Sequence, residues 1–152
     1  MDGTDTALLI ELQGDARLSL AELGRRVGLS SPAVAERLRR LEDSGVIVAH
    51  RAELNPEALG LALTSIIRIR PTPRQLPKVA ELAKDTPEIV ECHRITGEDC
   101  FLMKVHAPTI ADLEAVLDQF LLYGQTVSSI VVSSPVPPRP LPVPTAPDGT
   151  SR

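Results

Sequence analysis

The residues best suited to chemistry are arginines that lie close together in the first third of the chain. Between Arg25 and Arg40 there is a single acid, Glu36, and the arginines stand at 25, 26, 37, 39 and 40. The whole chain nevertheless has a formal net charge of −4. A local arginine cluster on an acidic chain is typical of a confined contact with a polyanion. The alternative is that these arginines are ordinary water-exposed residues on the outer faces of helices.

A second group has the side-chain types of a metal site: Cys92, His93, Cys100 and His106. We expect two strands joined by a turn centred near Glu98, which places Cys92 opposite Lys104 and Cys100 opposite Thr96. The two sulfurs are then roughly 13 Å apart along the sheet, at about 3.3 Å per residue. Because zinc ligands must converge within one small shell, the sequence predicts neither a metal site nor a disulfide here.

Motifs that carry catalysis are absent from the sequence. It contains no phosphate loop, nucleophile elbow, HExxH helix or dinucleotide-binding glycine fingerprint. The neighbouring carboxylates Glu98 and Asp99 are explained by turn chemistry alone. We therefore predict that the protein is not an enzyme and carries no cofactor.

The composition excludes several other classes of protein. No run approaches 18 apolar residues, so a membrane span is not expected, and the acidic start does not fit a secretory signal. Two cysteines cannot form a disulfide scaffold, which favours a reducing cytoplasm. With only three aromatic residues, a protein that stacks on single-stranded bases is disfavoured.

The elements that must position the arginines are short helices. Asp5 can cap a first helix that ends at Gly14. Ser19 and Glu22 match a capping box for a second helix, which Gly28 ends. Leucines at helical spacing give each helix one apolar face.

A third helix follows after a turn of three residues, Gly28-Leu29-Ser30. Ser30 can cap this helix, and Pro32 is tolerated in its first turn because the missing N–H would be unpaired there. Its apolar stripe consists of Val34, Leu38 and Leu41, and Gly45 ends it. Two helices joined by so short a turn form a helix-turn-helix, whose second helix enters the major groove of DNA.

We predict that the third helix and its surroundings bind duplex DNA. Arginines position such a helix on phosphates, while small and polar residues near its start read base edges. The predicted DNA-binding residues are Arg25, Arg26, Ser30, Ser31, Ala33, Glu36, Arg37, Arg39 and Arg40. The competing hypothesis is a ligand-binding or protein-interaction module without specific DNA binding.

The rest of the chain predicts an α+β fold in which a (winged) helix-turn-helix domain precedes a ferredoxin-like βαββαβ domain. The β-branched residues 46–48 suggest a short strand that forms a wing or pairs with another chain. The predicted boundaries are 1–52 for the helical domain, 53–60 for a hinge, 61–134 for the βαββαβ domain and 135–152 for a Pro-rich tail. Seven of the 14 prolines lie in that tail, which we expect to be disordered. The bare face of the predicted sheet favours a symmetric dimer.

Residues 29–47 (LSSPAVAERLRRLEDSGVI) resemble the helix-turn-helix signature of the Lrp/AsnC (feast/famine) transcription regulators. Residues 15–19 and 59–60 match the same pattern, and residues 95–97 match the end of the second strand of the family's second domain. The similarity covers about residues 4–134.

This resemblance implies a DNA-binding regulator that dimerises through residues 61–134, with dimers often assembling to octamers. It also implies an effector, usually an amino acid, held near the glycine turn. The residues that correspond to that turn are Gly97, Glu98, Asp99 and Cys100. The turn departs from the family's Gly-x-x-Asp pattern, because Cys100 stands at the Asp position and Asp99 comes one place early.

Overall fold

A computed structural model of the chain describes residues 1–144, and these form two compact units. The first unit comprises Met1–Glu53 together with the chain from Val136, and the second comprises Leu54–Pro135. Residues 145–152, for which the sequence predicts part of a disordered tail, lie outside the described residues. No helix within residues 1–144 is long and apolar enough to cross a lipid bilayer.

The first unit contains three helices: α1 (Gly3–Gly14), α2 (Leu20–Val27) and α3 (Ser31–Asp43). One residue from each helix is buried at the centre, namely Leu8, Leu23 and Val34. The partly buried side chains of Leu12, Leu18, Val27, Leu29 and Leu38 pack around them. Most residues of the predicted apolar stripes therefore form the core of this unit, but Leu20, expected in the stripe of α2, is 41% exposed.

Helix α1 begins one turn earlier than predicted, because Asp2 rather than Asp5 is its N-cap. The Asp2 carboxylate accepts the Asp5 N–H at 2.8 Å, and the Asp5 carboxylate accepts the Asp2 N–H at 3.0 Å. This reciprocal capping box satisfies two otherwise unpaired N–H groups, whereas a cap at Asp5 alone would satisfy one.

Residues 46–48 do not form the predicted strand. The N–H groups of Val46 and Ile47 both donate to the Leu41 carbonyl, at 2.9 and 3.0 Å, in the turn that follows α3. Gly45 makes this turn possible because its φ is +73°. A strand requires a partner for its backbone groups, and no strand of the described chain pairs with residues 46–48.

The second unit is the predicted βαββαβ fold. Its elements are β1 (Leu63–Pro71), α4 (Leu76–Asp85), β2 (Ile89–Arg94), β3 (Phe101–Ala107), α5 (Ile110–Phe120) and β4 (Gly124–Ile130). The four strands form one antiparallel sheet in the order β2-β3-β1-β4. A short 3-10 turn, Glu57–Leu59, precedes β1.

Both helices of this unit pack on one face of the sheet. That face contributes buried residues from β1 and β3 such as Ile67, Phe101 and Met103, against which Val79 and Phe120 pack. The opposite face carries the alternate strand residues, including Ile66, Arg68, Leu102 and Lys104.

The register of β2 on β3 differs by one residue from the prediction. Cys92 lies opposite Met103, and Glu91 rather than Cys92 lies opposite Lys104. This register continues to the turn, where the Ile95 N–H donates to the Cys100 carbonyl at 3.0 Å, so the turn is centred between Gly97 and Glu98 and not on Glu98. An irregularity between Ile89 and Glu91 shifts the pairing only at Ile89. Cys92 and Cys100 are free thiols, and residues 1–144 contain no cluster of side chains suited to a metal ion.

Candidate nucleic-acid interface

The turn between α2 and α3 is fixed by backbone contacts at two glycines. Gly28 ends α2 in the left-handed conformation, with φ +73°. The Leu29 N–H then donates to the Gly24 carbonyl at 2.8 Å. A Cβ at Gly24 would lie 2.3 Å from the Leu29 carbonyl oxygen, so no side chain fits there. The orientation of α3 on α2 therefore depends on a glycine at position 24.

Serine side chains cap both helices of the helix-turn-helix. Ser19 accepts the Glu22 N–H at 3.1 Å, and Ser30 accepts the Ala33 N–H at 3.4 Å. Only half of the capping box predicted at Ser19 is present, because the Glu22 carboxylate binds Arg25 and Arg26 instead. Charged donors compete well against a single backbone N–H, and they lower the pKa of Glu22 to about 2.

Helix α3 turns its apolar stripe inward and its charged residues outward. Val34 and Leu41 are buried. Glu36, Arg39 and Arg40 are exposed on the other side of the helix. Near the start of α3, the predicted residues Ser30, Ser31 and Ala33 are exposed or half-buried and carry no long side chain. This end of the helix is therefore narrow enough to approach a groove closely.

Arg39 and Arg40 differ in their ion pairs. The Arg39 guanidinium, which is 64% exposed, binds Glu36 at 2.8 Å and lies 3.9 Å from Asp43. These contacts lower the pKa of Glu36. Arg40 makes no ion pair with any residue in the described part of the chain. Exposed pairs within one helix contribute little stability, so a phosphate can replace Glu36 at small cost.

Arg25 and Arg26 are also placed differently. Arg25 is 74% exposed, and within residues 1–144 its one ion pair is with Glu22, one turn away on α2. Arg26 binds Glu22 at 2.8 Å and Glu11 of α1 at 2.6 Å, so it joins the two helices. Arg25 is therefore the more available of the two for an external anion.

Arg37 does not lie with the exposed arginines of α3. Its side chain is 23% exposed, and its Nη1 donates to Asp2 and to Asp5 at 2.7 Å each. Hydrogen bonds from the Asp5 backbone and from Arg37 lower the pKa of Asp2 to about 2. Burial raises the pKa of Asp5, but hydrogen bonds from the Asp2 backbone and from Arg37 outweigh it and lower the pKa overall. Arg37 thus fastens α3 to the start of α1.

The second predicted site, the turn Gly97–Cys100, contains an ion-pair group that the sequence analysis missed. Gly97 has φ +104°, and the acids that follow it bind two arginines of β1. Arg68 lies 3.3 Å from Asp99, and Arg70 pairs with Glu98 and lies 3.9 Å from Asp99. The N–H of the half-buried Cys100 donates to the Ile69 carbonyl at 2.9 Å. The sequence signal for this ion-pair group was the presence of arginines at alternate positions of one strand, 68 and 70.

Both units match family models of known proteins. Residues 1–42 match the AsnC-type helix-turn-helix domain, and residues 64–141 match the Lrp/AsnC ligand binding domain. Over 134 residues the chain is 39% identical to the uncharacterized HTH-type transcriptional regulator YezC of Bacillus subtilis, covering 88% of this chain and 95% of that protein.

Two solved structures extend the match to the fold. The structure of LrpC from B. subtilis is 32% identical, with a TM-score of 0.84 over 88% of this chain and 96% of that one. A transcriptional regulator from Neisseria meningitidis in complex with L-Met is 29% identical, with a TM-score of 0.87 over 93% of this chain and 96% of that one. The chain therefore belongs to the Lrp/AsnC family of transcriptional regulators, with a helix-turn-helix DNA-binding domain followed by a ligand-binding domain.

Proposed function

We propose that this regulator binds specific DNA sites by inserting the start of α3 into the major groove. The observation that supports this most directly is the outward face of α3, where Arg39 and Arg40 follow a start that has only small side chains. A helix built only for packing has no need of arginine on its solvent face. We propose residues 1–52 as the DNA-binding domain, 53–60 as a hinge and 61–134 as the domain for effector binding and dimerisation.

The placement of each side chain divides the proposed interface into roles. Arg40, Arg39 and Arg25 contact phosphates, since they are exposed and their pairs are local or absent. Ser31, Ala33 and Glu36 face base edges from the first half of α3, where side chains of a recognition helix reach the bases. Ser30 fixes the start of α3 as its cap.

The other two arginines among the predicted DNA-binding residues hold helices in place. Arg26 ties α2 to α1 through Glu11, and Arg37 ties α3 to α1 through Asp2 and Asp5. Each can still bind a phosphate, but only by giving up its ion pair with an acid on another helix.

We propose a homodimer as the unit that binds DNA. Two copies of α3 then occupy successive major grooves, about one helical turn apart. The open face of the sheet supports this assembly, because it exposes Val127 and carries the partly buried Ile66 and Leu102 beside charged groups. Dimers in turn can assemble to octamers. The protein acts on DNA in the cytoplasm and has no catalytic role.

We propose an amino acid as the effector, bound near the turn that contains Gly97. Arg68 and Arg70 stand beside Glu98 and Asp99, so the site offers partners for both an α-carboxylate and an α-ammonium group. The structural relative bound to L-Met supports the same class of ligand. Cys100 borders the site through its backbone contact with β1.

The DNA-binding proposal is tested with a charge reversal. The double variant Arg39→Glu/Arg40→Glu should weaken binding to a duplex from the protein's own promoter region by about 100-fold, if each contact is worth about tenfold. The matched control is Lys78→Glu/Lys84→Glu on α4, which changes the net charge equally in the other unit. Equal losses in both variants would refute a specific role of α3, and unchanged binding would favour a protein-interaction module.

The effector proposal is tested with the full chain and the twenty amino acids. One amino acid should raise the melting temperature, and the same one should alter the pattern of a gel shift on promoter DNA. Stabilisation without any change in the gel shift would mean that ligand binding is not coupled to DNA binding.

A further inference from the structure

Helix α1 has apolar side chains on two faces, and only one of them belongs to the helical core. Leu8 is buried in the cluster with Leu23 and Val34. Leu9 is only 9% exposed, yet it lies outside that cluster. A second surface must therefore cover Leu9.

That second surface is a groove along α1. Leu9 and Leu12 line it on the side of α1, and residues 46–53 line it on the side of the turn after α3. Its other walls are formed by Met1, by residues 13–17 and by Leu141–Pro144 of the Pro-rich tail. Within the first unit, the tail thus lies beside the face of α1 that carries Leu9, and Leu12 borders both this groove and the helical core.

The tail is held to α1 by one glutamine. The Gln13 side-chain amide donates to the Leu141 carbonyl at 3.0 Å, and its oxygen accepts the Leu141 N–H at 2.6 Å. This pair of hydrogen bonds uses both backbone groups of one residue, as a neighbouring strand would. A contact of this kind fixes which residue of the tail stands opposite Gln13.

A second contact agrees with the first in spacing. The hydroxyl of Thr6, a buried residue, donates to the Pro144 carbonyl at 3.5 Å. Thr6 and Gln13 are two helical turns apart, a rise of about 10.5 Å at 1.5 Å per residue. Leu141 and Pro144 are about 9.3 Å apart in a polyproline helix at 3.1 Å per residue. The tail therefore runs antiparallel to α1 with a matching repeat.

The sequence of the tail suits such a contact. Residues 140–144 are Pro-Leu-Pro-Val-Pro, so only Leu141 and Val143 have an N–H to offer. Leu141 is the residue of the described tail whose N–H is hydrogen-bonded. All aromatic residues of the chain, namely Phe101, Phe120 and Tyr123, lie in the second unit. Recognition here depends on an amide and aliphatic side chains, unlike the aromatic grooves that usually bind polyproline.

We propose that the outer face of α1 is a docking surface for a proline-rich peptide, and that its ligand is residues 140–144 of the same chain. The docked segment closes one side of the groove that Leu9 lines and accepts the Thr6 hydroxyl, and so it stabilises the DNA-binding domain from outside its core. The rest of the tail needs no fixed conformation for this role.

Hydrogen exchange of the full chain tests the contact directly. The Leu141 N–H should exchange at least about tenfold more slowly than in a free peptide of residues 136–147, since it is bonded to Gln13. Gln13→Ala should restore the peptide rate, whereas Gln119→Ala on α5, a matched exposed helical glutamine, should not. Unchanged protection in α2 and α3 shows that the variant is folded. Equal rates in chain and peptide would overturn the proposal.

A cross-link then identifies which copy supplies the ligand. In a Cys92→Ser/Cys100→Ser background, Gln13→Cys and Leu141→Cys in one chain should give an internally linked monomer on a non-reducing denaturing gel. A linked dimer would assign the ligand to a second copy and refute docking within one chain. Absence of any link under oxidising conditions would refute the contact itself.

Discussion

The two units use arginine in opposite ways. In the helical unit, Arg25 and Arg39 bind acids one turn away on their own helix and remain largely exposed. In the sheet unit, Arg68 and Arg70 bind acids about 30 residues away, in a turn whose backbone is held by β1. The first kind of pair joins residues one turn apart on a single helix and can be exchanged without loosening the fold, whereas the second ties together separate parts of the fold.

Arg37 shows that arginines close together in the sequence can form different kinds of ion pair. It lies two residues from Arg39 on α3, yet its partners are Asp2 and Asp5 at the other end of the domain. An arginine that already has two carboxylates supports the fold more than it attracts a new anion. The comparison therefore predicts different phenotypes for neighbouring arginines.

The largest expected effect is on DNA affinity, at Arg40. Arg40→Ala should weaken DNA binding about tenfold, because Arg40 has no ion pair with any of residues 1–144 that must be broken before it meets a phosphate. Arg39→Ala should cost less, since Arg39 must first leave Glu36. Fluorescence anisotropy at several salt concentrations measures both, and each variant should reduce the salt slope by about 0.9. A flat salt response of the natural chain would contradict phosphate contacts altogether.

The second effect is on stability, at Arg37. Arg37→Ala leaves the buried Asp5 carboxylate without its cation and should lower the melting temperature of the helical unit by about 5 °C. Arg25→Ala is the control, and it should shift the melting temperature by less than about 1 °C because its pair is exposed. Equal shifts of the melting temperature, measured by circular dichroism, would show that the ion pairs of the two arginines contribute equally to stability.

The third effect is a pH dependence that sharpens the role of Arg37. The folded state lowers the pKa of Asp2 from its ordinary value of 3.8 to about 2, and that of Asp5 shifts in the same direction. Their contribution to stability is therefore complete above pH 5 and is lost as the pH falls through 4 toward 2. The difference in denaturant midpoint between the natural chain and Arg37→Ala should shrink over that range. A difference that stays constant would mean that Arg37 acts through packing alone.

The smallest effect is expected in the second unit. Asp99→Asn should change the melting temperature by no more than about 1 °C, because surface ion pairs contribute little. It should nevertheless reduce the stabilisation by whichever amino acid binds, since a carboxylate near Gly97 is lost. Glu114→Gln, at an exposed acid of α5 away from this turn, is the control. An identical response of both variants to the amino acid would place the ligand elsewhere.

Local signals were sufficient to predict α3 and its outward face. The Ser30 cap, the early Pro32 and the spacing of Val34, Leu38 and Leu41 are all contained within 13 residues, and the structure has each as expected. The order of the strands and helices in the second unit was predictable for the same reason.

Contacts between distant residues were not predictable. The partners of Arg37, the acid beside Arg68 and the glutamine that holds Leu141 come from sequence positions at least 31 residues away. Residues 46–48 form no strand within the single chain, because β-branched residues favour a strand only when a partner is present, and pairing with another chain stays a prediction. The register of β2 differed by one residue because the turn is centred between Gly97 and Glu98, and an alternating pattern does not fix the centre of a turn.

The close contact at Gly24 sets a limit on how this protein can change. The leucines of the helical core can be exchanged for other apolar residues if the volume is kept. Position 24 accepts no side chain without moving the carbonyl of Leu29, and with it the start of α3. Substitutions along α3 can therefore change the DNA specificity of the proposed interface. The angle between α2 and α3 stays the same as long as Gly24 is kept.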